Sequence, residues 1–196
     1  TVIRLGENNL STDPDCDGSN CAPPHLTFTP ASVIRHPSFT TRGTVSDDIA
    51  LVRLNATVPF SRYVSPVCLP PANLDISAFL AGRQATVAGW GVTERGPDTQ
   101  ILQTVKISFI SRDVCNPFYN NALVPEQVCF GGEGQRDSCF GDSGGPVVST
   151  GPNNSGLYTL LAVVSFGQPT CGVPGVPAVY TNVGAYRSWI LSNLQP

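Results

Sequence analysis

Apolar residues fall in short runs at 26–34, 49–54, 84–90, 100–110, 127–130, 146–148, 157–166 and 178–183, separated by Gly, Pro, Asn, Asp and Ser clusters. Runs of this length with frequent turn punctuation predict the strands of a sandwich or barrel. Only 183–194 has helical spacing, with Tyr186, Trp189, Ile190 and Leu194 near i, i+3, i+4 and i+8. The pattern therefore predicts an all-β chain closed by a C-terminal helix. There is no internal repeat with a period of about 20–50 residues. The loop 8–24 is the most irregular stretch, and the Pro-rich segment 68–71 reads as the connector between two β units.

Composition narrows the partners and the compartment. Charged residues make up 13% of the chain, against about 25% in an average soluble domain, and the net charge is −3. That balance argues against nucleic acid as a partner. The longest aliphatic stretch, 160–164, is far short of the roughly 18 residues of a membrane helix, which argues against a membrane partner. The first ten residues have neither the basic start nor the apolar run of a signal peptide, so any export signal is expected to be gone already. With 41% hydrophobic residues the chain still has the apolar mass for a core.

Seven cysteines lie at 16, 21, 68, 115, 129, 139 and 171, with no C-x-x-C pair and two histidines, His25 and His36. A Cys/His zinc site is poorly supported, and disulfides are the better reading. Glycosylation sequons begin at Asn9, Asn55 and Asn153. Cysteines and sequons together predict a secreted, extracellular protein. The odd count leaves one thiol free or bonded to another chain.

The strongest chemical signal is Asp137-Ser-Cys-Phe-Gly-Asp-Ser-Gly-Gly-Pro146. A serine between glycines has room around its hydroxyl, and Gly141 offers a backbone N–H with no side chain in the way of a substrate oxygen. The competing reading of the same residues is a plain β-turn. The flanking Cys139, Asp137 and Asp142 favour a catalytic loop.

At this point the chain resembles the chymotrypsin-like serine proteases. The resemblance is carried, in the family's order, by Asp47-Asp-Ile-Ala-Leu-Val-Arg-Leu54, Pro66-Val-Cys-Leu-Pro70, Val87-Ala-Gly-Trp-Gly91, the serine motif, Ser165-Phe-Gly167 and Ala178-Val-Tyr-Thr-Asn-Val183. It implies a double antiparallel β-barrel with a C-terminal helix, 1–70 being the remainder of the N-terminal barrel and 71–196 the C-terminal barrel and helix of one peptidase domain. Ser143 would be the nucleophile, Asp48 the carboxylate that orients a histidine, and the Gly141 and Ser143 N–H groups the oxyanion hole. Asp142 would pair with a new N-terminal amine after zymogen cleavage. Asp137 would be the acidic floor of a pocket for Arg or Lys, with Ser138, Ser165, Phe166, Gly167 and Ala178 around it. Asp47, beside Asp48, is expected to be solvated.

A closer resemblance, to the clip-domain proteases of arthropod immune and developmental cascades, rests on Arg4-Leu-Gly-Glu7, the loop holding Cys16 and Cys21 that ends Cys-Ala-Pro-Pro24, and Val164-Ser-Phe-Gly167. It implies the pairs Cys16–Cys21, Cys115–Cys129 and Cys139–Cys171, and a bridge from Cys68 to a regulatory light chain. Implied partners are a protein or peptide substrate, that light chain and serpin-type inhibitors. No cofactor is required for catalysis, but Glu7, Asp13, Asp15 and Asp17 are oxygen donors suited to calcium, with Glu7 the best candidate ligand. Two departures stand out. The family's Ala-Ala-His-Cys base motif is absent, and Ala178 stands where the family usually has glycine. The expectation is a protease fragment lacking its general base, with a non-catalytic protease homologue as the alternative.

Overall fold

The computed structural model describes residues 1–93, 99–134, 136–151 and 156–194. Its strands are β1 (Ile3–Leu5), β2 (Cys16–Asp17), β3 (Asn20–Cys21), β4 (Leu26–Phe28), β5 (Pro30–Arg35), β6 (Ala50–Leu54), β7 (Ala85–Gly89), β8 (Gln103–Ile107), β9 (Phe109–Ile110), β10 (Gln127–Gly131), β11 (Pro146–Ser149), β12 (Thr159–Phe166) and β13 (Pro177–Asn182). Three short helices join them: α1 (Ile76–Leu80), α2 (Arg112–Cys115) and α3 (Arg187–Ser192). The all-β expectation with a C-terminal helix holds.

One antiparallel sheet of seven strands, in the order β8-β7-β11-β12-β13-β10-β9, carries the main core. Its central strands are nearly continuous apolar runs because both faces are covered. Leu161, Phe130 and Tyr180 are fully buried there, and Ile76 and Leu80 of α1 pack against the same cluster. The Phe130 ring meets Tyr180 edge-on at 5.3 Å, the geometry aromatic quadrupoles favour. Before β7 the chain forms three two-stranded ladders, β1-β4, β2-β3 and β5-β6.

Two predicted strands break where side chains and proline interrupt the ladder. The run 26–34 divides at Thr29, whose N–H donates to Asn55 Oδ1 at 3.0 Å, and Pro30 then enters a different ladder. The run 100–110 divides at Ser108, whose N–H donates to Glu133 Oε1 at 2.6 Å. The C-terminal helix starts later than its periodicity suggested: Val183–Tyr186 is a 3₁₀ turn in which Asn182 Oδ1 accepts the Gly184 N–H. Tyr186 and Ile190 are buried as expected, whereas Leu194 is 60% exposed beyond the end of α3.

The segment 42–48 is tied to the large sheet. Gln127 Nε2 donates to Thr44 O and Val45 O, both at 3.2 Å, and Arg42 Nη1 donates to Glu126 Oε1 at 3.0 Å. Asp47, expected in solvent, is only 1% exposed. Arg42 grips its carboxylate with Nε at 2.9 Å and Nη2 at 2.6 Å, and Tyr186 donates its hydroxyl at 3.1 Å. A buried carboxylate is tolerable only with such partners; Arg42 stands five positions before it and Tyr186 139 positions after it.

The disulfides are Cys16–Cys21, Cys115–Cys129 and Cys139–Cys171, the pairs implied by the resemblance. Cys68 is free and exposed.

Candidate active site

Ser143 is exposed in a tight loop between Gly141, at φ +95°, and Gly144, at φ +82°. These are left-handed backbone values that glycine adopts without the Cβ clash. The loop is pinned at both ends. Cys139–Cys171 ties down its start. Beyond the serine, the Gly144 N–H donates to Val164 O, and the Val164 N–H donates to Gly145 O, both at 2.9 Å.

Asp48 reaches the same region from the other half of the sequence. Its Oδ2 accepts the Ser165 hydroxyl at 2.7 Å, and its backbone carbonyl accepts the Thr181 hydroxyl at 2.8 Å. Ser165 lies where the β12-β13 register shifts between Val164 and Phe166. Such a bulge re-aims a side chain that a regular ladder would point elsewhere. The sequence reading placed Ser165 only on the pocket wall. A hydroxyl within the apolar run Leu160–Val164 and Phe166 was the available sign of a second task. Asp48 and Ser143 line a common cavity of about 480 Å³, together with Arg35, Phe39 and Ala50.

Neither histidine lines that cavity. His36 Nδ1 is 3.6 Å from Asp47 Oδ1, and its ring packs edge-on against Tyr186 and Trp189. His25 Nδ1 lies 3.5 Å from Glu7 and 3.4 Å from Asp13.

A second cavity, of about 370 Å³, opens beside the serine. It is lined by Asp137, Ser138, Ser143, Ser165, Phe166, Gly167 and Ala178, the full set of substrate-contact candidates. Asp137 Oδ2 accepts the Gly172 N–H at 3.0 Å, while Oδ1 is buried without a hydrogen-bond partner. Burial pushes the Asp137 carboxyl above the usual carboxylate range, against the pull of the Gly172 and Ser138 N–H groups. Ser138 Oγ is 3.0 Å from the Tyr180 hydroxyl, and burial raises that phenol so that it stays protonated. Ala178 is 5% exposed on β13, facing Gly167 closely enough that a Cβ on Gly167 would lie 3.4 Å from its methyl.

Asp142 points the other way. Its Oδ1 accepts the Gly91 N–H and its Oδ2 the Cys139 N–H, both at 2.9 Å. A Cβ on Gly89 would collide with this carboxylate, which explains a glycine at the end of β7. Asp142 and Asp137 both line a third cavity, of about 390 Å³, against β7 and β8.

The acidic loop fits calcium poorly. Glu7 is engaged by Arg4 at 3.0 Å and by the Asn8 N–H at 3.1 Å. Asp15 accepts the Asn8 and Asn9 N–H groups at 2.9 Å and the Thr12 hydroxyl at 2.6 Å. Arg4 already supplies a positive charge, and these N–H and hydroxyl donors hydrogen bonds, where a cation would sit. Among the described residues no cluster of three or more His, Cys, Asp or Glu is arranged to hold a metal ion. Of the sequons, Asn9 is half-buried with Oδ1 accepting from Ser11, and Asn55 is exposed with Oδ1 on the Thr29 N–H. Asn153 lies outside the described residues.

The trypsin family model matches residues 19–190. The chain belongs to the trypsin family. Phenoloxidase-activating factor 1 of Holotrichia diomphalia is 40% identical over 201 residues, covering 99% of this chain and 53% of its own length. A CLIP domain-containing serine protease, HP8 of Bombyx mori, is 36% identical over 197 residues, covering 98% and 53%. The crystal structure of the Drosophila Grass clip serine protease of the Toll pathway superimposes with a TM-score of 0.79 at 35% identity, over 96% of this chain and 55% of that one. The fold is chymotrypsin-like and the relatives are clip-domain serine proteases. This trypsin-family chain spans about half the length of the curated relatives it matches. Among the described residues no helix is long and apolar enough to cross a membrane.

Proposed function

We propose that this chain belongs to a secreted serine endopeptidase that cleaves after Arg or Lys in an extracellular zymogen cascade of the immune type. The observation that carries the reading is the shared placement of Ser143 on two cavities. One reaches the Asp48 carboxylate, and the other reaches Asp137 with its unpartnered buried oxygen. A guanidinium or ammonium entering the second cavity would satisfy that oxygen, whereas an apolar side chain would leave it stranded. Ser143 Oγ then attacks the scissile carbonyl, with the Gly141 and Ser143 N–H groups facing the oxyanion. Water resolves the acyl-enzyme.

The general base comes from residues outside this sequence. Both histidines of the chain are held elsewhere, and the cavity between Asp48 and Ser143 has the volume for an imidazole whose tautomer Asp48 would fix. Asp142 takes the amine liberated by zymogen cleavage in the cavity against β7 and β8, and exposed Cys68 bridges to a regulatory light chain. Residues 1–70 and 71–196 act as the two halves of one peptidase domain. The cascade assignment rests on relatives named for phenoloxidase activation and for the Toll pathway.

The lack of an imidazole at Ser143 also favours a second reading, a non-catalytic homologue serving as a cascade cofactor. Matched arginyl, lysyl and phenylalanyl peptide substrates, given to the activated natural polypeptide that carries this chain, separate the two. Basic substrates should be cleaved and the aromatic one spared, and Ala178→Gly should raise kcat/KM by enlarging the pocket. A polypeptide that turns over none of them, and whose Ser143 does not react with a fluorophosphonate, is the cofactor.

A further inference from the structure

The loop that presents Asp48 is strained. Thr40, Val45 and Asp47 hold φ of +61°, +50° and +57°. A β-branched residue such as Val45 in this region is a genuine outlier, and such conformations persist only when surrounding contacts over-determine them. The contacts come from residues far along the chain. Gln127 holds the carbonyls of Thr44 and Val45, and Arg42 spans from Asp47 to Glu126. Asp47 is the junction of this network. Its buried carboxylate receives two Arg42 donors and the Tyr186 hydroxyl, with His36 at 3.6 Å. The Arg42 hydrogen bonds hold its carboxyl below the usual carboxylate range, so it stays ionised beside the guanidinium.

Asp48 is the next residue. Its backbone continues directly from the one that Asp47 anchors, and its own two tethers, Ser165 on β12 and Thr181 on β13, meet it from the same sheet whose Gln127, paired with Thr181, holds the carbonyls of Thr44 and Val45. We infer that Asp47, clamped by Arg42 and Tyr186, is a positioning residue that sets the Asp48 carboxylate against Ser165 and toward the Ser143 cavity. This inference rests on the serine protease reading for its kinetic consequence and on geometry alone for its structural one.

Asp47→Asn keeps the size of the side chain but turns an amide donor toward one of the Arg42 N–H groups. In the activated natural polypeptide, a displacement of Asp48 of about 1 Å should lower kcat roughly 100-fold. KM for an arginyl substrate should hold, because the Asp137 cavity is untouched. Pairing Asp47→Asn with Arg42→Gln restores a neutral, complementary hydrogen-bonded pair and should recover at least about tenfold of that loss, as coupled neighbours do. A thermal melt on each variant reports folding separately. In a crystal structure of the single variant, Asp48 should have left Ser165.

A single variant that melts earlier but keeps kcat, or that keeps the 2.7 Å bond from Ser165 to Asp48, overturns the proposal. A double variant no better than the single one also counts against it. Should the wild type itself be unreactive while the variant's Asp48 is displaced, the protease reading fails and the positioning role stands.

Discussion

Replacing Asp137 by asparagine tests the floor of the pocket in the chain as it stands, without any need for turnover. One carboxylate oxygen has the Gly172 N–H, and the other is buried with no partner. Leaving a buried acceptor unpaired costs roughly 1–3 kcal/mol, more when it is charged. The Gly172 and Ser138 N–H groups return part of that cost by favouring the ionised form. The net penalty is therefore set at about 1 kcal/mol, at the low end of that range.

The sign follows from proton linkage. The folded-state pKa of Asp137 is raised above its unfolded value, so the folded state binds more protons in the window between the two. Stability is highest at low pH and falls as pH rises through that window. At pH 7 the full penalty is present. Asp137→Asn removes the charge and should stabilise the chain by about 1 kcal/mol, or about 2–4 °C for a chain of this length. The same substitution should remove the response to benzamidine, whose amidinium has the charge and planar donors of an arginine side chain. Benzamidine at 100 times its Kd should stabilise the wild type by about 2.7 kcal/mol and the variant not at all. Thermal melts at pH 4 and pH 7, with and without benzamidine, read all of this. A variant that is less stable than wild type at pH 7, or that benzamidine protects equally, would show that the Asp137 oxygen is satisfied by something other than a cation in the pocket.

Two further predictions concern the cysteines. Removing Cys139–Cys171 by paired alanines opens a loop with a sequence separation of 32; chain entropy assigns this about 3.7 kcal/mol, to be read from the urea midpoint, and an unchanged midpoint would mean that the serine loop is held by its backbone bonds alone. Iodoacetamide should alkylate the native chain at one site, Cys68, as mapped by peptide mass spectrometry. Modification of Cys16 or Cys21 instead would reopen the pairing.

The site residues were legible because each stands in a motif whose residue types are rare in combination. The serine between glycines, the acid two positions before a paired cysteine and the Asp-Ile-Ala-Leu run carry their chemistry in local order. What was not legible depends on distance along the chain. Asp47 and Asp48 are adjacent, identical in type and opposite in fate. Asp47 is buried because Arg42 turns back onto it and Tyr186, 139 positions away, donates to it. Asp48 finds its tether in Ser165, 117 positions away. No local pattern separates the two acids without the resemblance. The short elements β1, β2, β3, α1 and α2 escaped for a different reason: two to five residues give too few positions for any periodicity to register.

The geometry of the site is concentrated in one stretch of β12. Val164 exchanges backbone hydrogen bonds with Gly144 and Gly145, which fixes the far end of the serine loop. Ser165, at the register shift, turns its hydroxyl to Asp48. Phe166 and Gly167 then form the wall opposite Asp137. Three features that must keep fixed separations, the nucleophile loop, the orienting carboxylate and the pocket, are thus referenced to four consecutive residues. A regular strand could not do this, because strict alternation would put Ser165 on the face opposite both its neighbours with the ladder still closed against β13. The shift at Val164/Phe166 frees Ser165 from that ladder while Val164 and Phe166 stay paired to Tyr180 and Val179. The local irregularity is therefore what allows one buried strand to serve a core on one side and a polar site on the other.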